Sequence, residues 1–504
     1  MPEITVPKDF PTTDSLLHTL QETYTRIKKE AEFEEEKIVY EELIPKLASA
    51  LNPLILLRAF ALGSTATVWE VLDARLNQRR APKLPRPRMS KLAKIIRIIT
   101  AEKDTLARLT HQNIIKIHLS DEIPINIKNE EYSFPYFLMD YIEGVRDIDD
   151  YIDDNFGNVT AENIISYFRH IANGLSFLHS KGIVHCDIKP GNVILAHGSP
   201  ALIADLGYAK HFFRIPKEDH EKLTTVTYTP SYAHPKLLEK MVRSTDDAAN
   251  IAEIKQSELT PAFDLYSFGR TMQSILKIVR QRQSEEFRET ILTPYQWRYL
   301  ALIAVRLLDG QIIKLGDDAL DTDTIPGLPA SLMTELAYRS ADEALEDLEK
   351  LLNLYDLEGE IPELNSNLSN YIQLPGSRVP FTKRVSRITN HPVFVRLTQV
   401  TQLGFVSLVY PGTFHSRYEH SLGTFEKCCE MIRALWYDDL NCMFRSLMSK
   451  ADIEGILVAS LVHDIGQFPM AHDLAEVHGI FAHDRLQKAC LRHSTHTLVK
   501  ALPI

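Results

Sequence analysis

The sequence predicts a mixed α+β unit followed by a block that is helical throughout. Three observations carry this. Between about residues 54 and 140 the apolar residues fall in short runs broken by turns, with one long helical stretch near 90–109, and from 160 to 355 the apolar period is mostly helical. A Gly/Pro/Asn-rich stretch, DLEGEIPELNSNLSN (356–370), then interrupts the pattern as a linker would. Residues 380–504 return to helical period and hold nine of the 19 histidines, which marks them as a separate histidine-using module. A chain of 504 residues suits roughly three domains.

Composition bounds the function. With 44% hydrophobic and 24% charged residues, a collagen-like, disulfide-stapled or largely disordered chain is excluded. The formal charge of -11, from 56 basic and 67 acidic residues, argues against general binding to nucleic acid or membrane surfaces. MPEITVPKDF has no basic region leading into an apolar stretch, and the longest apolar run, LNPLILLRAFALG, is broken by Arg58. Neither a secretory signal nor a membrane span is therefore expected. Five cysteines without a CxxC pair fit a reduced, cytoplasmic setting.

The first 50 residues hold eleven acidic and six basic side chains, and residues 14–50 read as helix after the polar start Thr12-Thr13-Asp14. They form an acidic helical arm (1–50), either packed on its own domain or offered to a partner.

The most informative string is VHCDIKPGN (184–192). It sets Asp187, Lys189 and Asn192 within six residues, a carboxylate, an ammonium and an amide close together in the chain. Thirteen residues after Asn192 comes Asp205-Leu206-Gly207, behind the apolar run ALIA. Upstream, Lys83 stands in APKLP, and Ile95, Ile99, Glu102, Leu106 and Leu109 fall within about 80° on a helical wheel. Glu102 thus sits on an apolar face, where an unpaired carboxylate is costly. It is either the partner of Lys83 or a side chain that reaches solvent.

Together these strings resemble the protein kinase family. The resemblance implies an α+β bilobal protein kinase fold over residues 51–355, binding ATP and Mg2+ between its lobes. It implies Asp187 as catalytic base position, Lys189 as the charge-stabilising lysine, Lys83 braced by Glu102 on the phosphates, and Asn192 and Asp205 as Mg2+ ligands. FLMDYIEG (137–144) resembles the hinge, with Met139 as gatekeeper and Asp140 to Ile142 offering backbone hydrogen bonds to adenine. The glycine-rich loop keeps only Gly63 of its glycines, ahead of Val68. TYTPSYAHPKLL (227–238) resembles the end of an activation segment, with Thr229 against the catalytic Asp and the substrate, and FDLYSFG (263–269) implies that Asp264 holds the catalytic loop. Lys189 and Thr229 point to a protein hydroxyl as acceptor, on a partner or on the chain itself. A small-molecule kinase, sharing the H-x-D-x-x-x-x-N loop, is the alternative.

Departures from the family pattern carry expectations of their own. Cys186 replaces the Arg before the catalytic Asp, so it cannot clamp an activation-loop phosphate, and activity independent of such phosphorylation is expected. Lys236 replaces the Glu of A-P-E, and no Arg occurs between 307 and 338 to partner it, which points to a substituted support. MVRSTDDAANIAEIKQSE is expected to form an inserted helix.

In the last block, RLTQVTQLGFVSLVYPGTFHSRYEHSLGT (396–424) and LVASLVHDIGQFPMAHD (457–473) resemble the HD phosphohydrolase superfamily, in its deoxynucleoside-triphosphate triphosphohydrolase branch. The resemblance implies an all-α HD-type helical domain over 380–504, after a linker at 356–379. It implies His420, His463 and Asp464 as ligands of a divalent transition metal, Arg417 as a phosphate contact and Gln402 at a nucleotide sugar. On the residues themselves, His463-Asp464 close a nearly all-apolar helix, and a buried ionisable pair there is satisfied by a metal or by hydrogen bonds within the protein. Gln467 stands where the family has a second histidine, and the family's last metal ligand is an Asp far downstream. As the chain runs 40 residues past Asp464, the HD block is expected to be C-terminally incomplete.

The expectation is a cytoplasmic Ser/Thr protein kinase joined to an HD block that binds nucleotide or metal, with self-association as a further expectation. The alternatives are a pseudokinase or nucleotide-sensing scaffold, and an HD nucleotide phosphohydrolase regulated by the kinase part.

Overall fold

The computed structural model describes residues 11–467 except 27–29, 63–65, 88–92, 128–129, 213–221, 243–249, 286–290, 309–335, 354–355, 404–408, 410–414 and 439–441. Gly63 and the histidines beyond residue 467 lie outside the described residues. The chain divides into two compact units, Met1–Leu352 and Asn353–Ile504.

The first unit opens with helices α1 (Thr13–Arg26) and α2 (Glu30–Ala50). A five-stranded antiparallel sheet follows: β1 (Leu54–Leu62), β2 (Ala66–Asp73), β3 (Gln78–Pro85), then helix α3 (Ala93–Leu106), β4 (Ile117–Ile127) and β5 (Glu130–Asp140), in the order β1-β2-β3-β5-β4. The arm is part of this lobe. Leu16, Leu20 and Tyr24 of α1 and Tyr40, Leu43 and Leu47 of α2 recur at helical spacing and pack on Leu56, Trp69, Val71, Phe134 and Leu138 of the sheet. Each buried Leu contributes about 1.5–3 kcal/mol, so the inner face of the arm is mainly apolar, with Glu36 buried in it, while acidic residues such as Asp14, Glu22 and Glu41 lie exposed. Beneath that contact Arg86, fully buried, donates to Tyr24 Oη at 2.9 Å and to Glu36 Oε2 at 3.3 Å.

Beyond the hinge come β6 (Arg146–Asp147), α4 (Ile148–Asp154), α5 (Ala161–Ser180), β7 (Ile183–Val184), β8 (Val193–Leu195), β9 (Leu202–Ile203) and β10 (Lys210–His211). Helix α5 starts at a reciprocal cap between Thr160 and Asn163, and its buried face includes Ile164, Phe168, Ile171, Leu175 and Leu178. The lobe continues through β11 (Leu223–Tyr228), α6 (Pro235–Glu239), β12 (Met241–Val242), β13 (Asn250–Lys255), α7 (Ala262–Glu285), α8 (Pro294–Leu307) and α9 (Ala341–Leu351). At Gly269 a Cβ would lie 2.9 Å from Leu307 Cβ, so the glycine lets α7 close on α8.

The inserted helix expected near 241–258 is corrected. The described residues there form β12 and β13, in a three-stranded sheet ordered β11-β13-β12, and only Gln256–Glu258 make a short 3-10 turn. Helix-forming alanines lose to an alternation the sheet can use, in which Ala252 and Ile254 are buried while Asn250, Glu253 and Lys255 are exposed.

The second unit contains α10 (Leu357–Glu360), the hairpin β14 (Tyr371–Leu374) and β15 (Ser377–Pro380), then α11 (Lys383–Thr389), α12 (Pro392–Val395), α13 (Arg417–Trp436), α14 (Cys442–Leu447) and α15 (Lys450–Val462). The linker reading of 356–379 is also corrected. Leu357, Ile361, Leu364 and Val379 are buried in the same core as Leu422, Phe425, Trp436 and Leu457, so polar composition there marks turns inside a folded unit. With that hairpin, the unit is not purely helical. Helices α13 and α15 each start at a reciprocal cap, Ser416 with Glu419 and Ser449 with Asp452.

Candidate functional site

A cleft of about 940 Å³ lies between the two lobes of the first unit, a size suited to a nucleotide. Val68, Ala81, Lys83, Met139, Asp140 and Ile142 line its inner part, and Asp187, Lys189, Asn192, Asp205 and Thr229 its mouth.

The upper wall is set by strand register. Lys83 on β3 pairs with Val68 on β2 and Phe137 on β5, and its ammonium reaches Glu102 of α3 at 2.8 and 3.0 Å. The same ammonium donates to Asp205 at 3.0 Å. Burial disfavours the charge on Lys83, but Asp205 and Glu102 outweigh it and hold the lysine well above its ordinary range. Burial pushes Glu102 up to about 7, against the pull of Lys83 and with a further push from Asp205. Burial would raise Asp205 as well, yet Lys83 holds it below the usual carboxylate range. Asp205 sits at φ 61°, a left-handed conformation uncommon for a side-chain-bearing residue, and this turn aims it at the cleft.

The lower wall converges on one carboxylate. Asp187 is buried, and its Oδ1 accepts a 2.6 Å bond from the Thr229 hydroxyl. Its Oδ2 accepts from Lys189 Nζ at 2.7 Å and from Asn192 Nδ2 at 3.1 Å, while Lys189 also donates to Thr229 Oγ1 at 2.8 Å. The catalytic-loop backbone is held from below by Asp264, wholly buried, whose oxygens accept from His185 N at 2.7 Å and Cys186 N at 2.8 Å. Cys186 takes φ 70°, a strained value that this pair of bonds maintains.

Lys236 is exposed, and other contacts tie the end of the activation segment to α7. Ser267 Oγ donates to Tyr232 O at 2.9 Å, Arg270 Nε donates to Ser231 O at 3.0 Å, and buried His234 lies against Phe263 and Tyr266. The sequence showed that the usual ion pair was gone and left its replacement undefined.

Residues 58–293 match the protein kinase domain family. The chain carries a protein kinase domain. Among curated proteins, it is 32% identical over 177 residues to serine/threonine-protein kinase STK11 of Homo sapiens, covering 35% of this chain and 39% of that protein. The corresponding match in Rattus norvegicus is also 32% identical, over 38% of the relative. Serine/threonine-protein kinase PknA of Mycobacterium tuberculosis is 27% identical over 212 residues, 42% of this chain and 44% of the relative. The chain thus spans less than half the length of these curated relatives. No helix among the described residues is long and apolar enough to cross a membrane.

Outside the kinase domain, the second unit brings His420 of α13 next to His463 and Asp464, which follow α15. The His420 and His463 Nε2 atoms are 3.4 Å apart, and Asp464 Oδ2 lies 3.7 and 3.6 Å from them. The Nδ1 of His463 is bonded to Ser460 O at 2.8 Å, so it carries the proton and leaves the lone pair on Nε2, the atom that faces His420 and Asp464. Burial keeps His420 below its ordinary range, which favours neutral imidazole. Arg417 stands at the edge of this cluster. Its guanidinium donates to Asp464 Oδ2 at 2.8 Å and to Gln402 O at 3.1 Å, which places it on the carboxylate of the cluster instead of free for a phosphate. Gln402 comes to this edge by its backbone, and its side-chain Oε1 is buried with no hydrogen-bond partner among the described residues. Gln467 is buried, its N–H closing the turn on Asp464 O at 2.9 Å.

Proposed function

We propose that the chain is an ATP- and Mg2+-dependent Ser/Thr protein kinase that phosphorylates a protein hydroxyl, on a partner or on itself. The observation that carries this is the convergence of Thr229, Lys189 and Asn192 on Asp187, opposite the Lys83–Glu102 pair. The same network favours a protein acceptor over a small molecule, because Thr229 ties the base position to the segment along which a peptide would lie.

Asp205 and Asn192 fit Mg2+ by their donors. They offer a carboxylate and an amide oxygen, and the Asn192 nitrogen is committed to Asp187 O at 2.7 Å. When bound, Mg2+ neutralises the phosphate oxygens and aligns them for transfer. Lys83 orients the phosphates from the upper wall. Asp187 positions the acceptor hydroxyl and takes its proton as the oxygen bonds to the γ-phosphorus and the bond to the ADP oxygen breaks. Lys189 balances the charge on the transferring group. Phosphoamino-acid analysis after incubation with γ-labelled ATP tests this: label is expected in Ser and Thr, and label confined to small molecules or tyrosine contradicts it.

The second unit is read as an HD-type block in which His420, His463 and Asp464 hold a divalent transition metal. Three donors 3.4–3.7 Å apart match the spacing of about 3.4 Å around a four-coordinate ion with bonds near 2.1 Å. Mixed imidazole and carboxylate donors suit Fe, Mn, Ni or Zn. Arg417 and Gln402 would face a nucleotide at its edge once Arg417 exchanges Asp464 for a phosphate. Metal analysis is expected to find an ion in the wild type that His463→Ala loses; no ion in either protein contradicts the assignment.

A further inference from the structure

Between Asp205 and Thr229 the sequence has three Ser/Thr hydroxyls, Thr224, Thr225 and Thr227. All three lie on β11, which pairs with β13 along its full length, from Leu223 opposite Lys255 to Tyr228 opposite Asn250. A bond from Gln256 N to Lys222 O at 2.9 Å extends the ladder by one step. Beneath the sheet, Val226, Ala252 and Ile254 share an apolar cluster with Val184, Cys186 and Phe263. The residue before the catalytic Asp thus carries a buried thiol in the floor of this sheet, and offers no charge to a phosphate. Strand β11 ends one residue before Thr229, whose hydroxyl meets Asp187 and Lys189.

We propose that strands β12 (241–242) and β13 (250–255) brace the activation segment from within the chain. By holding β11 they set Thr229 against Asp187 without a phosphate on the segment. Ile254 and Ala252 are positioning residues in this arrangement, supplying by apolar packing what a phosphate clamped by arginine would supply by charge. Strand β13 also begins at Asn250, which lines the cleft beside Thr229 and Pro230, so the insert shapes the entry of the acceptor peptide. The proposal rests on the kinase reading above.

The test uses the full chain, dephosphorylated and verified by intact mass, with turnover of γ-labelled ATP and amide hydrogen exchange as readouts. In the wild type the 223–228 amides are expected to be protected and turnover to proceed. Thr224→Val/Thr225→Val, which keeps strand propensity, is expected to match it. Glu253→Pro breaks the central strand at an exposed side chain and so removes no core contact. It is expected to lower kcat about 100-fold through misplacement of Thr229, with KM for ATP near the wild-type value. Protection should be lost at 223–228 and kept in α5. Ile254→Asp should reproduce this split and Ile254→Val should restore the wild-type values. Rapid exchange of 223–228 in the dephosphorylated wild type overturns the proposal, whether or not any variant folds. So does a wild-type kcat in Glu253→Pro, or a fall of more than about tenfold in the double valine variant. Wild-type turnover no higher than that of Asp187→Asn would instead overturn the kinase reading, while the exchange data still judge the brace.

Discussion

Replacing Glu102 by Gln separates stability from catalysis at one atom pair. The carboxylate is 1% exposed and titrates near 7 where an ordinary Glu titrates at 4.5. Between those values the folded chain binds more protons at this site than the unfolded chain, so this group lowers stability as pH rises from about 4.5 to about 7. At 1.36 kcal/mol per pH unit, the ionised carboxylate costs about 3 kcal/mol above pH 7, even with Lys83 beside it. The neutral amide of the variant stands in for the protonated acid. Glu102→Gln should therefore be more stable than the wild type at pH 8 by up to about 3 kcal/mol, with the difference gone at pH 4.5. Activity should move the other way. Without the carboxylate, Lys83 is left to Asp205, and kcat/KM should fall about 100-fold as the phosphates lose alignment. In the wild type the same ionisation should appear as an acid limb in kcat/KM near pH 7. Chemical denaturation at the two pH values and initial rates from pH 5.5 to 9 make the comparison. A variant less stable than the wild type at pH 8, or one with unchanged kcat/KM, refutes the reasoning.

Thr229→Val removes the hydroxyl that joins Asp187 to Lys189. It should cut kcat about 100-fold with little change in KM for ATP, and Thr229→Ser should restore most of the loss in a steady-state assay. Asp264→Asn presents an amide hydrogen to one of two backbone N–H groups in a fully buried site. Urea denaturation should show a loss of about 3 kcal/mol, and a loss below about 1 kcal/mol contradicts the role given to Asp264.

Much of the active site was legible because its chemistry fixes short spacings. Asp187, Lys189 and Asn192 lie within six residues, and the apolar stripe around Glu102 required a cation that Lys83 supplies. Features made by long-range pairing were not legible. Residues 250–255 carry helix formers as well as an alternating pattern, and only the exposed ladder of β11 decides between them. The polar stretch at 356–370 hid widely spaced core residues, Leu357, Ile361 and Leu364, that a linker reading passes over. The acidic count of the first 50 residues concealed a buried stripe that covers the outer face of the sheet. The Arg417–Asp464 pair spans 47 positions and leaves no local trace, so the sequence offered for Arg417 only the phosphate contact that the resemblance implies.

Phosphoryl transfer by the wild type compared with Asp187→Asn tests the central claim most directly. The substitution keeps the shape of the side chain and removes the charge that receives Lys189 and positions the acceptor proton. The wild type is expected to transfer γ-label from ATP and Mg2+ to protein Ser or Thr at a rate at least about 1000-fold above the variant. Equal incorporation by the two proteins, or none by the wild type, contradicts the assignment of Asp187 and with it the reading of the cleft as a protein kinase active site.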